Sequence, residues 1–197
     1  MSSLLKRIID KLVRILIPLY YKSDIKQMQF FGKNVNLRFG LRIDFPDRLY
    51  IGNNVDLNVF VWLSINKYIY QKDAPTKETD AFLKIDDDTY IGRFCSISCA
   101  NNVYIGKKVM IADRCYIGDI QHNYENKELA IMDQYITSKG PISIGEGTWL
   151  GNNVSVLPDV TIGKHCVIGA NSVVTKDVPD YHIAAGNPAR VIRKIGE

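Results

Sequence analysis

Three histidines are the side chains in this sequence best suited to move a proton near neutral pH. They stand at positions 122, 165 and 182 of the 197 residues. His165 lies within a regular six-residue repeat, where an exposed corner residue is expected, and His182 follows the last repeat, where a surface or packing role is expected. His122 alone lies at a break in the repeat. Because function is concentrated where a regular scaffold is interrupted, the sequence favours His122 as a general base.

The four cysteines lack the spacing of a metal site. Cys95, Cys99, Cys115 and Cys166 form no Cys-x-x-Cys pair, and no histidine cluster accompanies them. The sequence therefore predicts no zinc or other metal site. Cys95, Cys115 and Cys166 occupy a position of the repeat that is otherwise small or β-branched, which predicts packed core thiols.

The secondary structure that must position His122 is predicted by a periodic pattern, in which an aliphatic residue recurs every six positions. The longest run comprises Ile144, Leu150, Val156, Ile162, Ile168 and Val174, and shorter runs begin at Ile85 and Ile105. The next residue is often glycine. A period of six fits neither an α-helix nor a continuous amphipathic strand, but it fits very short strands separated by sharp corners. Three such hexads predict a triangular turn of about 18 residues, and these turns stack into a solenoid.

The repeat [Ile/Leu/Val]-Gly-x-x-[small]-x resembles the hexapeptide-repeat acyltransferases, weakly over residues 31–63 and strongly over 83–193. This resemblance implies a mainly β fold, the left-handed parallel β-helix, whose handedness the period itself does not give. It also implies homotrimers with active sites between neighbouring subunits.

The predicted organisation has three parts. They are an N-terminal amphipathic helix over residues 1–22, the β-helix over 23–183 with excursion loops at 64–82 and 119–141, and a C-terminal tail over 184–197 that contacts coenzyme A.

The longest interruption is similar to the bacterial sugar and capsular-polysaccharide O-acetyltransferase branch. Asp119, His122, Tyr124, Trp149 and Gly151 match its motif in order. The resemblance implies acetyl-CoA as acyl donor, a carbohydrate hydroxyl as acceptor, no metal, and His122 as the base that deprotonates the hydroxyl. Asp119 either orients His122 or turns a corner, and Tyr124 either contacts the acceptor or packs the loop.

The same resemblance implies which residues contact acetyl-CoA. They are Asn152, Ala170, Thr175, Lys176, Arg190 and Arg193, with Trp149 and Gly151 of the motif counted among them. Lys176 and the two arginines meet phosphates or form a solvated basic terminus. Trp149 contributes to the acyl or acceptor pocket, or to a subunit contact. Asn101 departs from the repeat and either turns a corner or faces an acceptor sugar.

Charge and composition argue against several other classes. The formal net charge is +4 without a long Lys/Arg tract, so no nucleic-acid partner is expected. Residues 4–20 predict an amphipathic helix that is too charged to span a bilayer; it caps the solenoid or lies on an anionic membrane surface. No convincing secretory signal is present, so a cytoplasmic location is expected, with or without peripheral contact with the inner face of the cell membrane. An N-acetyltransferase on an amino sugar, a xenobiotic acetyltransferase and a non-catalytic scaffold remain alternatives.

Overall fold

A computed structural model describes residue 12, residues 15–69 and residues 75–197. Short parallel strands wind into six stacked coils, which confirms the predicted left-handed parallel β-helix. Each coil contributes one strand to each of three sheets, and the apolar core fills the triangular space between them.

The sheets have the following strands. The first contains β1 (Phe30–Phe31), β4 (Leu49–Ile51), β9 (Phe82–Ile85), β12 (Asn102–Ile105), β17 (Ile142–Ile144) and β20 (Val160–Ile162). The second contains β2 (Asn36–Leu37), β5 (Asp56–Leu57), β10 (Tyr90–Ile91), β13 (Met110–Ile111), β18 (Trp149–Leu150), β21 (Val167–Ile168), β23 (His182–Gly186) and β24 (Ala189–Lys194). The third contains β3 (Arg42–Asp44), β6 (Trp62–Ile65), β11 (Ser96–Cys99), β14 (Tyr116–Gly118), β19 (Ser155–Val156) and β22 (Val173–Val174).

The strand register explains both the six-residue period and its interruption. Trp149 pairs with Val167, eighteen positions later, as three hexads per coil require. Tyr90 pairs with Met110, twenty positions later. The two extra residues of that coil extend the corner at Ala100 and Asn101, where the sequence shows a phase slip between two hexad runs.

Three lines of corners join the sheets, and left-handed backbone conformations turn the chain there. We call them the first corner (first to second sheet), the second corner (second to third) and the third corner (third to first). Positive φ recurs along the second corner at Phe60, Phe94, Arg114, Asn153 and Asn171. Because Asn and Asp tolerate this region better than other non-glycine residues, the Asn-Asn pairs of the repeat fall at such corners.

The inward hexad positions form the core. Every aliphatic residue of the longest run from Ile144 to Val174 is at most 1% exposed. The small fifth positions are buried as well, and the Thr148 hydroxyl donates to the Gly163 carbonyl of the next coil at 2.8 Å. Stacking is tight enough that a Cβ on Gly145 would lie 2.6 Å from the Gly163 carbonyl carbon.

A helical segment covers the N-terminal end of the solenoid. Residues 15–20 are helical, and α1 (Lys22–Gln27) follows after a turn at Tyr21. The Tyr21 side chain is buried, and its hydroxyl donates to the Leu41 carbonyl at 2.6 Å. Ile17 packs against the core, so this segment caps the first coil.

The predicted helix over residues 1–22 lies largely outside the described residues, since 1–11 and 13–14 are not among them. Its described part continues five residues beyond the predicted boundary, to Gln27. Leu16, Leu19 and Tyr20 of this segment are exposed. Within residues 15–69 and 75–197, no helix is long and apolar enough to cross a membrane.

Two excursions leave the solenoid at the third corner. The first excursion, residues 66–81, links β6 to β9 and contains the antiparallel pair β7 (Tyr68–Ile69) and β8 (Lys77–Glu78). The second excursion, residues 119–141, links β14 to β17 and contains the antiparallel pair β15 (Gln121–His122) and β16 (Ile136–Thr137). The excursions are two coils apart, and the Ala100–Asn101 corner lies between them.

The C-terminal residues continue the second sheet. β23 lies parallel to β21, and β24 folds back antiparallel along β23. The predicted boundary at 184 therefore falls within a strand, because the tail completes the hydrogen bonding of the last coil.

Candidate active site

His122 lies on the hairpin of the second excursion. It is directly opposite Ile136 in the antiparallel pair, and the Asn123 amide donates to the Tyr135 carbonyl at 2.9 Å. The imidazole is exposed, and no residue in the described part of the chain hydrogen-bonds to it. A ring with this exposure can reach a substrate proton or the side chain of a second subunit.

Gln134 orders the loop that carries His122. Its side chain is 5% exposed, its Nε2 donates to the carbonyls of Asn126 at 2.9 Å and Leu129 at 3.1 Å, and its Oε1 accepts from the Asn126 amide at 3.2 Å. Sequence reasoning missed this residue, because a glutamine outside the repeat carries no periodic signal. Tyr124, by contrast, is exposed on the same loop.

Asp119, three residues before His122 in the sequence, is fully buried. Its Oδ1 accepts from the Ala100 amide at 2.5 Å, and its Oδ2 accepts from the Asn101 amide at 2.9 Å. Burial raises the pKa of Asp119, and the amide hydrogen bonds act in the opposite direction. The carboxylate thus fastens the Ala100–Asn101 corner of the preceding coil, below the hairpin. At this corner the Asn101 Oδ1 accepts from Asn102 Nδ2 at 2.8 Å.

Part of the predicted acetyl-CoA set meets at the second corner of the last two coils. A Cβ on Gly151 would lie 2.7 Å from the Ala170 amide nitrogen, so glycine permits this close approach of the two coils. Asn152 accepts from the Asp113 amide at 3.1 Å through its Oδ1. Trp149, in β18, is 47% exposed on the adjoining sheet.

The remainder of the set lies elsewhere. Thr175 and Lys176 follow β22 at the third corner and are exposed. Arg190 and Arg193 are exposed on β24, which also contacts β22. The second and third corners are opposite edges of the third sheet, so within one chain the His122 hairpin and Ala170 depart from opposite edges of that sheet.

The sequence matches known proteins along the same coils. Residues 141–176 match the family described as bacterial transferase hexapeptide (six repeats). A probable acetyltransferase of Mycobacterium tuberculosis is 36% identical over 149 residues, which cover 74% of this chain and 49% of that protein. A putative acetyltransferase of Staphylococcus aureus is 39% identical over 120 residues, which cover 48% of this chain and 56% of that protein. The chain is therefore similar to bacterial hexapeptide transferases over its last coils and to acetyltransferases over a longer stretch.

Solved structures of other transferases resemble this one over most of its length. AntD, an N-acyltransferase from Bacillus cereus solved with dTDP and 3-hydroxybutyryl-CoA, has a TM-score of 0.71 at 18% identity, over 89% of this chain and 88% of that chain. A maltose O-acetyltransferase from Clostridium difficile has a TM-score of 0.59 at 27% identity, over 88% and 73%. AntD shows the shared fold alone. The chain spans about half the length of the curated relatives it matches.

The other potentially reactive groups of this hexapeptide-repeat chain are inward-facing thiols. All four cysteines are free and buried. Burial raises the pKa of Cys99 to about 12, and it raises the pKa of Cys166 as well. Within the described ranges, no three His, Cys, Asp or Glu side chains converge to hold a metal ion. The exposed imidazole of His122 is therefore the group best suited to proton transfer on the excursions.

Proposed function

We propose that this protein is an acetyl-CoA-dependent O-acetyltransferase that acts on a sugar hydroxyl, in bacterial surface-polysaccharide biosynthesis. The observation that carries the proposal is the position of His122, exposed on a hairpin at the longest interruption of the solenoid. The names of the relatives support acetyl transfer, and the maltose O-acetyltransferase neighbour supports a sugar hydroxyl as acceptor.

His122 acts as general base. It takes the proton of the acceptor hydroxyl as the oxygen attacks the thioester carbonyl carbon, forming the new C–O bond. The resulting oxyanion is stabilised by hydrogen-bond donors around the site. Collapse of the tetrahedral intermediate breaks the C–S bond, and the imidazolium returns its proton to the coenzyme A thiolate. The thioester is already activated, so proton transfer and positioning are the tasks left to the chain.

The donor lies along the last coils. Gly151, Asn152 and Ala170 let the pantetheine approach the backbone of the second corner. Lys176, Arg190 and Arg193 meet the phosphates as charge-assisted hydrogen-bond donors. Trp149, exposed beside this corner, borders the acyl group.

Two subunits complete each site. In one chain the His122 hairpin and Ala170 occupy opposite edges of the third sheet. A homotrimer that sets the third corner of one subunit against the second corner of the next joins the base to the donor. Tyr90, Met110 and Trp149 form an exposed apolar row on the second sheet that suits such a contact.

Asp119 acts here as a positioning residue. It holds the Ala100–Asn101 corner and so sets the point from which the His122 hairpin departs.

The proposed location is the cytoplasm, where acetyl-CoA is available. Peripheral membrane contact through residues 4–20 remains a proposal of its own, since that segment lies mainly outside the described residues; its described residues Leu16, Leu19 and Tyr20 are exposed.

The second candidate function is N-acetylation of an amino sugar, because the same fold occurs in AntD, which is named as an N-acyltransferase. The same base and the same donor site serve either reaction, because an amine also loses a proton on acylation. The chemistry of the acetylated product separates the two.

The test is mass spectrometry of candidate glycans after incubation with acetyl-CoA. O-acetyl products are expected. Mild alkali distinguishes them, because it releases O-acetyl groups whereas N-acetyl groups resist it. His122→Ala should lower turnover by about 10²-fold or more while coenzyme A binding and oligomeric state persist. The matched control is His165→Ala, which removes a corner histidine stacked on Tyr181 and should keep its activity. Near-normal turnover of His122→Ala would reject His122 as the base.

A further inference from the structure

A cavity of about 930 Å³ opens between the two excursions. Residues 75–80 of the first excursion form one wall, and residues 135–138 of the second form the other. Ala100 and Asn101, the corner that Asp119 fastens, lie between these walls. The cavity is thus built from two insertions in the repeat and from the coil that they flank.

The wall formed by the second excursion adjoins the proposed base. Ile136 and Thr137 of β16 line the cavity, and β16 is hydrogen-bonded to β15, which carries His122. His122 itself is not among the lining residues. It lies directly opposite Ile136, at the Cα separation of about 4.5–5.5 Å that is typical of such pairs. A ligand in the cavity can therefore extend over the edge of the hairpin to the imidazole.

The walls are rich in hydroxyl and amide groups. Thr76, Thr137 and Ser138 carry hydroxyls, Asn101 carries an amide, and Tyr135 adds an aromatic ring that is 39% exposed. An aromatic ring offers a flat apolar face together with a hydroxyl, and a sugar ring offers apolar C–H faces and polar edges in return. The volume is near the top of the range of about 300–1,000 Å³ found for sites that hold drug-sized ligands. A single sugar ring does not fill it.

The charges of the lining indicate which saccharides fit. The lining includes one lysine, Lys77, and two carboxylates, Glu78 and Asp80, and Glu78 is paired with Arg48 at 2.8 Å. Pyrophosphate is held in proteins by clustered Arg and Lys side chains or by helix N-termini. No such cluster or helix lines the described part of this cavity.

We infer that this cavity binds the acceptor, and that the acceptor is an uncharged saccharide of at least two rings rather than a nucleotide-activated sugar. This inference rests on the proposed acetyl transfer. It assigns acceptor choice to residues 75–80 and 135–138, which belong to the excursions and not to the hexapeptide repeat.

The experiment measures acetyl transfer by the full chain to two acceptor panels. One contains neutral glucose, galactose and N-acetylglucosamine saccharides of one to four rings, and the other contains the UDP and dTDP derivatives of the same sugars. KM should fall at least tenfold from one ring to three, and no nucleotide sugar should exceed its free monosaccharide in kcat/KM. A nucleotide sugar with a kcat/KM above that of every neutral saccharide would overturn the inference.

Two variants locate the binding site. Tyr135→Ala should raise the acceptor KM about tenfold while the KM for acetyl-CoA and kcat stay near their original values, because it removes a contact made equally in the ground and transition states. Tyr20→Ala, an 81% exposed tyrosine at the other end of the chain, is the matched control and should change neither constant. Asp80→Lys gives the lining a net positive charge and should improve the KM for nucleotide sugars. An unchanged acceptor KM in Tyr135→Ala would overturn the assignment of the cavity.

Failure of the proposed function has a different signature. If no hydroxyl is acetylated although acetyl-CoA binds, the O-acetyltransferase proposal fails. Titration calorimetry with the same two panels then still tests the cavity, since neutral oligosaccharides should bind more tightly than nucleotide sugars and Tyr135→Ala should weaken that binding. Tighter binding of nucleotide sugars would reject the inference on its own.

Discussion

Replacing Asp119 by alanine removes the two acceptors that hold the Ala100–Asn101 corner. The amides of Ala100 and Asn101 donate to the carboxylate at 2.5 and 2.9 Å, and Asp119 is 0% exposed. A hydrogen bond to a charged group contributes about 1.5–3 kcal/mol, and a buried donor left without a partner incurs a desolvation cost. We therefore expect the variant to lose about 3–5 kcal/mol of unfolding free energy. In a chain of this size each kcal/mol of lost stability lowers the unfolding midpoint by about 2–4 °C, so we expect the midpoint to fall by about 10 °C.

Thermal unfolding followed by circular dichroism measures this loss. The matched control is Asp177→Ala, because Asp177 also accepts from a backbone amide, that of Thr161 at 2.8 Å, but is exposed. Water can replace the lost acceptor there, so a loss of about 1 kcal/mol or less is expected. Equal losses in the two variants would contradict the role of Asp119 as a buried corner clamp.

Activity of the same variant separates the clamp from an orienting role. At a temperature where Asp119→Ala is folded, the clamp predicts a pH–rate profile with the original shape, since His122 keeps its own surroundings. A displaced profile with an unchanged unfolding midpoint would instead show that Asp119 acts through the imidazole of His122.

Three further outcomes are expected. Because burial raises the pKa of Cys99 to about 12, its thiolate is scarce at pH 8, and a thiol reagent should label this thiol at pH 8 only after denaturant is added; rapid labelling of the native protein would contradict its burial. Gly145→Ala places a Cβ 2.6 Å from the Gly163 carbonyl carbon, so denaturant titration should show a loss of about 1–3 kcal/mol, whereas an unchanged midpoint would show that the coils separate freely. Arg190→Ala should weaken coenzyme A binding more than dephospho-coenzyme A binding in calorimetry, and equal weakening would exclude contact with the 3′-phosphate.

The amino-acid sequence by itself determined the architecture. Aliphatic residues six apart can all be buried only if the chain turns a corner after each short strand, so the run from Ile144 to Val174 specifies stacked coils. The sequence also isolated His122, because an interruption is visible once the period is known. The same interruption of the period led to the prediction of two excursions, over residues 64–82 and 119–141.

The tertiary structure decided what lies next to what. No local pattern shows that residues 66–81 and 119–141 leave the same corner, because that depends on how many residues each intervening coil uses. The sequence allowed Asp119 either to orient a histidine or to hold a corner. Only the stacking of the third and fourth coils brings the Ala100 and Asn101 amides to its carboxylate. The division of the predicted acetyl-CoA residues between two corners has the same origin: hexads adjacent in sequence lie on different faces of a triangle, whereas residues about 18 or 20 positions apart become neighbours.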